Sequence, residues 1–145
     1  MFQQILVPVD GSKNAMAALE KAVELCKLTG AKLTLLTVYR HHSMLEASFS
    51  MVRREDPDNM DDIMREHAKA VAEEAKAHAI ALGADNPRAF VRNGWVARAI
   101  VAFAEEHEMD LIVIGSRGLG SLESYLLGSV SHKVTGMAEC PVLVV

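Results

Sequence analysis

Three glycines and a serine near the end of the chain have the types and spacing expected of an anion-binding loop. In the segment LIVIGSRGLGSLESYLLGSVSHKV, Gly115 and Gly118 follow an apolar stretch, and Gly128 with Ser129 comes further on. Glycine leaves backbone N–H groups unshielded and permits positive φ, so such a loop can wrap closely around a phosphate chain. A helix that begins at Ser129 would add free N–H groups and a positive dipole end. The segment therefore predicts a phosphate-binding site.

The elements that must position this loop alternate between short apolar runs and amphipathic stretches along the whole chain. Runs of apolar residues bounded by turn residues predict strands, and apolar residues repeated every three or four positions predict helices. Strands that are almost wholly apolar are typical of a parallel sheet with helices on both faces. We therefore expect one α/β domain over 1–145, with an open five-stranded parallel sheet. The predicted strands are 5–9, 32–38, 88–92, 111–114 and 142–145, and the predicted helices are 12–30, 57–82, 96–107 and 129–138.

Residues that could bind a ligand follow the first and the fourth predicted strands, where Asp10 and Gly115 lie. In an open parallel sheet, ligands bind beyond the carboxyl ends of the strands, where the strand order reverses. The order 3-2-1-4-5 makes these two strands neighbours, whereas the flavodoxin-like order 2-1-3-4-5 separates them by one strand. Because no comparable cluster follows the third strand, the placement favours 3-2-1-4-5 and a crevice between Asp10 and Gly115.

Two common phosphate-binding motifs do not match the glycine spacing. A Walker loop requires a lysine after its last glycine, and the chain has no G-K-[ST]. The dinucleotide fingerprint requires G-x-G-x-x-G in the first βα turn, whereas Gly115, Gly118 and Gly120 give G-x-x-G-x-G in the last one. Both motifs are therefore excluded, and the spacing G-x2-G-x9-G-[ST] remains.

This remaining pattern, Gly115-x2-Gly118-x9-Gly128-Ser129, resembles the ATP-binding signature of the universal stress protein family. The opening ILVPVDGS is similar to the family's first strand and turn, and the closing CPVLVV is similar to its last strand. The resemblance covers the whole chain. It implies a five-stranded sheet in the order 3-2-1-4-5 and ATP as the nucleotide.

Carried over residue by residue, the resemblance implies a phosphate end and an adenine end. The glycine N–H groups, the Ser129 hydroxyl and the Val130 amide would reach the phosphates, while Arg117 would meet a phosphate or face solvent. Asp10 would lie by the ribose or by a Mg²⁺ ion bound to the phosphates, so no metal site held by the protein alone is expected; a helix-capping role for Asp10 stays open. Three residues would hold the adenine, namely Pro8, Val9 and Val38. The complete expected nucleotide-binding set is Pro8, Val9, Asp10, Val38, Gly115, Arg117, Gly118, Gly128, Ser129, Val130 and Ser131.

Composition and the chain start bear on partners and compartment. The net charge of −4 and the pI near 5.8 argue against nucleic acid or an anionic membrane surface as the main partner, since both require a basic face. Cys26 and Cys140 suggest neither a disulfide framework nor a C-x-x-C metal site. The start MFQQILVPVDGS has no basic region and too short an apolar run for a signal peptide or a membrane span. We expect a cytoplasmic protein.

The stretch 39–55 is long for a connection between a strand and a helix, and such loops are usually functional or mobile. It leaves the second strand near the expected adenine wall, so a lid over the nucleotide and a disordered loop are both open. The adjacent His41 and His42 lack a nearby carboxylate or cysteine, so they make a poor metal site.

Few residues are available for catalysis. ATP hydrolysis requires a positioned water, a base and groups that neutralise the γ-phosphate charge, and Asp10 is the only carboxylate that the prediction brings to the crevice. The resemblance thus favours a nucleotide-binding regulatory protein with a role in stress survival. The alternative is a slow ATPase or an adenylyl-transferring enzyme, since related folds split ATP between its α and β phosphates. A flavin or other small-ligand module is a third reading.

The last predicted strand suggests a partner. The run from Val142 to Val145 has no charge and would lie at an edge of the sheet, and an unprotected apolar edge tends to pair with a copy of itself. Members of the family that the chain resembles also pair through this strand. We expect a homodimer built there.

Overall fold

The computed structural model describes residues 1–40, 57–117 and 127–145. Within these ranges every predicted strand and helix is present, although β2 and β3 end at Tyr39 and Asn93, slightly later than predicted. Most of the predicted lid, including His41 and His42, lies outside the described residues, so its role stays a prediction. The strands are β1 (Gln4–Pro8), β2 (Lys32–Tyr39), β3 (Arg88–Asn93), β4 (Leu111–Ile114) and β5 (Val142–Val144), and the helices are α1 (Lys13–Thr29), α2 (Pro57–Ala81), α3 (Val96–Glu106) and α4 (Ser129–Met137).

The five strands form one parallel sheet in the order β3-β2-β1-β4-β5. The predicted order is confirmed, and the flavodoxin-like order is excluded. The central strand β1 pairs with β2 up to Pro8↔Leu36 and with β4 through Ile5↔Leu111. Because β2 continues to Tyr39, its last residues extend past the end of β1. The sheet is therefore open at the carboxyl ends of β1 and β4, where the crevice was predicted.

Each face of the sheet is covered by two helices. Successive strand side chains point to opposite faces, so apolar strands need helices on both sides to bury them. On one face, Ile5 and Val7 of β1 pack in a core with α1 and α2. On the other, Leu6 packs with Phe103 of α3 and Val134 of α4. This alternation explains why strands that are buried on both faces are apolar at nearly every position.

Helix α1 begins and ends at the residues that the sequence indicates. The Ser12 hydroxyl oxygen accepts a hydrogen bond from the Ala15 N–H at 3.1 Å, which satisfies a free donor of the first turn. At the other end, Gly30 has a left-handed φ of 77° and donates to the Cys26 carbonyl. Glycine adopts this conformation without a steric penalty, so the helix stops there.

The longest helix, α2, packs on the sheet through alanine rather than through its larger apolar residues. Ile63 fits the apolar helical periodicity of α2, yet the residue is 55% exposed. A stripe of small residues lets the helix backbone approach the sheet closely, so a larger apolar residue beside the stripe can stay exposed. The buried residues are Ala68, Ala72, Ala75 and Ala79. No helix in the described ranges is long and apolar enough to cross a membrane.

Candidate functional site

A cleft of about 380 Å³ lies at the carboxyl ends of β1 and β4. It is bounded on one side by the start of α4 and on another by the first residues of α3. Gly118 lies outside the described residues. All other residues of the predicted nucleotide-binding set line this one cleft: Pro8, Val9, Asp10, Val38, Gly115, Arg117, Gly128, Ser129, Val130 and Ser131.

The start of α4 forms the polar end of the cleft. The first helical hydrogen bond runs from the His132 N–H to the Gly128 carbonyl at 3.0 Å. The N–H groups of Ser129, Val130 and Ser131 therefore precede the first intrahelical donor, and they carry the positive end of the helix dipole. Ser129 is exposed. This geometry suits a bound anion.

Ser131 is part of the cleft lining, but its hydroxyl is directed inward. The residue is 2% exposed, and its Oγ lies 2.7 Å from the Ser116 carbonyl oxygen and 3.1 Å from the Gly128 carbonyl oxygen. The Gly128 N–H also donates to the Ser116 carbonyl at 2.7 Å. The Ser131 side chain thus joins the end of β4 to the start of α4, while its N–H belongs to the first turn.

The two described glycines of the loop do not use positive φ, contrary to the reason for which they were singled out. Gly128 has a φ of −66°, and Gly115 is likewise outside the left-handed region. A Cβ atom added to Gly115 would lie 2.7 Å from the Asn14 carbonyl carbon and 3.0 Å from the Ala15 nitrogen. Gly115 therefore allows the end of β4 to approach the first turn of α1, and residues from both of these segments line the cleft.

Asp10 is exposed at the cleft and does not cap α1 directly. Its Oδ1 accepts a hydrogen bond from the Ser12 N–H at 2.9 Å, and Ser12 is the capping residue. This local bond fixes the Asp10 carboxylate beside the start of α1. The residue that caps the helix is therefore Ser12 and not Asp10. Half-buried Arg117 also lines the cleft, so the lining includes one anionic and one cationic side chain among the described residues.

The opposite end of the cleft is apolar. Val9 is buried, and its N–H donates to the Leu36 carbonyl at 2.9 Å, which is the last contact of β1 with β2. Alternate residues of a parallel strand direct their backbone groups to the same neighbour, so the Val38 backbone faces the side on which β1 has ended. Val38 thus offers an apolar side chain and a strand edge to the same space.

Sequence reasoning missed several lining residues. Val96 and Ile100 follow the apolar spacing of the helix predicted over 96–107, and this spacing gives no sign that their face also closes a cleft. Only the position of α3 over the open end of β1 could reveal this. The missed lining residues are Ser12, Ala15, Leu36, Val96, Ile100 and Ile114.

A metal bound by protein groups alone is not indicated in residues 1–40, 57–117 and 127–145. No group of three or more His, Cys, Asp or Glu side chains in those ranges could hold one. At the cleft, Asp10 is the carboxylate among the described lining residues. One carboxylate suits a Mg²⁺ ion that is also held by substrate phosphates, because that ion usually takes one or two protein carboxylates.

Comparisons with known proteins agree with the fold. The chain matches the model of the universal stress protein family over residues 1–145. It is 37% identical over 148 residues to universal stress protein YxiE of Bacillus subtilis, with 100% of this chain and 99% of that protein covered.

Three solved structures of universal stress proteins resemble it. UspA from Lactobacillus plantarum has a TM-score of 0.81 and 28% identity, covering 99% of this chain and 97% of that one. A universal stress protein in complex with cAMP has a TM-score of 0.71 and 28% identity, covering 99% and 96%. A universal stress protein from Archaeoglobus fulgidus in complex with dAMP has a TM-score of 0.63 and 26% identity, covering 99% and 97%. With its sequence matched from end to end, this chain belongs to the universal stress protein family.

Proposed function

We propose that the cleft binds ATP with Mg²⁺ and that nucleotide occupancy regulates the protein in a role that supports stress survival. One observation carries the proposal: a single cleft has both an apolar wall and the start of a helix among its lining. An adenine nucleotide has an apolar base for the first and anionic phosphates for the second. Two structural neighbours are complexes with cAMP and dAMP, which are adenine nucleotides.

The polar end fits a phosphate chain. The first-turn residues of α4 line the cleft, their N–H groups carry the positive end of the helix dipole, and Arg117 adds a cation among the lining residues. Asp10 would oppose bare phosphates by charge repulsion, so Mg²⁺ between this carboxylate and the phosphates would resolve the conflict. ATP should therefore bind more tightly with Mg²⁺ than without it.

The apolar end fits the adenine ring. Val9 and Val38 can pack against its faces, and the backbone edge of β2 beyond the end of β1 can recognise its polar rim. Pro8, the last residue of β1, lines the same cleft beside these valines.

Titration calorimetry with ATP, AMP and inorganic phosphate, each with and without Mg²⁺, tests the proposal. We expect ATP to bind in a Mg²⁺-dependent manner, AMP to bind more weakly, and phosphate alone to show no saturable heat. Equal affinity for ATP and AMP would contradict the phosphate assignment. Val38→Asn, which puts an amide in the base wall, should weaken ATP binding, whereas Val91→Asn, at an equally half-buried position on β3, should not.

A slow ATPase or an adenylyl-transferring enzyme is the alternative function. A single cleft carboxylate among the described lining residues, already held by the Ser12 N–H, offers little for activation of a water molecule. Incubation with radiolabelled ATP and Mg²⁺ separates the two functions. Recovery of unchanged ATP supports regulation, while formation of AMP or a rapid rise in ADP would overturn it and favour the enzyme.

We also propose a cytoplasmic homodimer that forms through β5. The two edges of the sheet differ: β3 carries the exposed Arg88 and Arg92, whereas β5 has no charged residue and exposes 37% of Leu143. Charges on an edge strand discourage pairing, and their absence permits it. Light scattering should show that Leu143→Lys reduces the dimer, while Leu28→Lys, on an exposed position of α1, leaves it intact. An unchanged mass for Leu143→Lys would refute this interface.

A further inference from the structure

The outer edge of β3 has cations on both faces of the sheet. Arg88 and Arg92 lie on β3 and are exposed. On the α2 side, Arg65 and Lys69 line a cleft of about 310 Å³ together with Tyr39, Val91, Arg92 and Asn93. No carboxylate is among these lining residues, although the chain as a whole carries a net charge of −4.

The two arginines of β3 are held on the α3 side by aromatic rings. The Arg88 guanidinium lies 5.5 Å from the centroid of the Phe90 ring, and the Arg92 guanidinium lies 5.4 Å from that of Phe103. Cation–π contacts of this kind orient a guanidinium while leaving its N–H groups free to bind an acceptor. Cations therefore lie above and below the same strand edge.

The acidic neighbours of these cations neutralise them only weakly. The pairs are exposed, with nitrogen–oxygen distances of 3.3 to 3.8 Å. Exposed pairs of this kind contribute little free energy, so an incoming carboxylate can compete with them. The pairs are Arg65 with Asp62, Lys69 with Glu66, and Arg92 with Glu106.

The backbone of β3 presents hydrogen-bonding groups along this edge. The Gly94 N–H donates to the Tyr39 carbonyl of β2 at 3.0 Å. Since alternate residues of a parallel strand bond to the same neighbour, Arg92 directs its backbone groups towards β2, and Val91 and Asn93 direct theirs outward. Both of these residues line the basic cleft. The edge thus combines outward N–H and C=O groups with flanking positive charge.

We infer that this edge binds an extended acidic segment of a partner protein, which pairs with β3 as a sixth strand. Successive side chains of a strand point to opposite faces, so acidic residues on one face would meet Arg65 and Lys69, and those on the other face would meet Arg88 and Arg92. The sheet edges of a second copy do not fit, because pairing β3 with β3 would bring like charges together and β5 offers no carboxylate side chain.

Fluorescence anisotropy with a labelled peptide of alternating threonine and glutamate tests the inference at low ionic strength. The matched probes are the same peptide methylated on alternate amide nitrogens, which keeps the charge but cannot pair as a strand, and a threonine–lysine peptide. We expect saturable binding of the first probe and loss of binding for the other two. Equal affinity for the methylated probe would overturn the strand-pairing mode. Absence of binding by the first probe would overturn the inference and would show that the charges only protect the edge from pairing with other chains.

Protein variants test the location. The double change Arg65→Glu with Lys69→Glu should lower the affinity for the acidic peptide by about tenfold or more, since it replaces attraction by repulsion at the edge. The matched change Lys13→Glu with Lys21→Glu alters the net charge equally on α1 and should have little effect. Equal losses in both variants would indicate attraction by overall charge and would overturn the site. Circular dichroism checks that each variant is folded.

Discussion

The hydroxyl of Ser131 and the carbonyl oxygen of Ser116 are 2.7 Å apart, although the residues belong to different elements. Ser116 follows β4, and Ser131 lies in the first turn of α4. The same carbonyl also accepts the Gly128 N–H. The two ends of the glycine-rich segment are thus fastened together, so the start of α4 is held at the cleft by the protein itself.

Ser131→Ala removes this hydroxyl. We expect the free energy of unfolding to fall by about 1 kcal/mol, because a buried hydrogen bond is lost while the Ser116 carbonyl keeps one donor. Urea denaturation measures the change. Ser129→Ala, which removes an exposed hydroxyl from the same turn, should have almost no effect on stability. Equal losses in the two variants would show that the Ser131 bond does not hold the turn.

Ser129→Pro separates the roles of the amide and the hydroxyl in ATP binding. Proline suits the first position of a helix, and Gly128 has the extended conformation that a residue before proline prefers, so α4 should remain intact. We expect a larger loss of ATP affinity for Ser129→Pro than for Ser129→Ala if the N–H binds phosphate. Calorimetry compares the two, and equal affinities would exclude a role for this amide.

Gly115→Ala and Gly136→Ala should change stability in opposite directions. The new Cβ at Gly115 would meet the backbone of Asn14 at 2.7 Å, and overpacking of this kind costs about 1 to 3 kcal/mol. Gly136 lies within α4 with nothing within 4 Å of the new atom, so alanine should stabilise by about 0.5 to 1 kcal/mol. Thermal denaturation of both variants checks the pair, and a stabilised Gly115→Ala would contradict the close approach.

Glu108→Gly should stabilise the protein. Glu108 has a φ of 53° just after α3, where its N–H donates to the Glu105 carbonyl and the Met109 N–H donates to that of Ala104. Gly83 ends α2 with the same bonding pattern, so glycine is compatible with this turn. Relief of the left-handed strain should add about 1 kcal/mol to the free energy of unfolding. Glu105→Gly, within α3, should lower stability instead; a loss for Glu108→Gly would refute the strain.

Cys26 should make stability depend on alkaline pH. Burial raises the pKa of its thiol from 9.0 to about 11. Between these values the folded state keeps a proton that the unfolded state has lost, so stability falls as pH rises through this window. Urea denaturation of the wild type and of Cys26→Ala on both sides of the window isolates the contribution. Identical pH dependence in the two proteins would exclude it.

Most of the architecture could be predicted from the sequence, because local interactions specify where helices and strands form. Apolar runs, helical periodicity and caps such as Ser12 and Gly30 depend on neighbouring residues, so strands and helices could be predicted closely. The strand order also followed, since Asp10 and Gly115 end neighbouring strands. The glycine spacing that resembles the family signature then identified residues that the fold brings to one cleft, including Gly128. Their binding of ATP stays a proposal.

The sequence by itself thus determined the α/β alternation, the family and ten of the residues that line the cleft, because each depends on spacing along the chain. The tertiary structure decided what long-range packing controls. It turned the alanines of α2 towards the core, made Gly115 a contact with α1, and directed the Ser131 hydroxyl to Ser116. It also brought Arg65 and Lys69 beside the edge of β3. The physical reason is that close backbone approach and charge clustering join residues that are distant in sequence, and local patterns do not encode those distances.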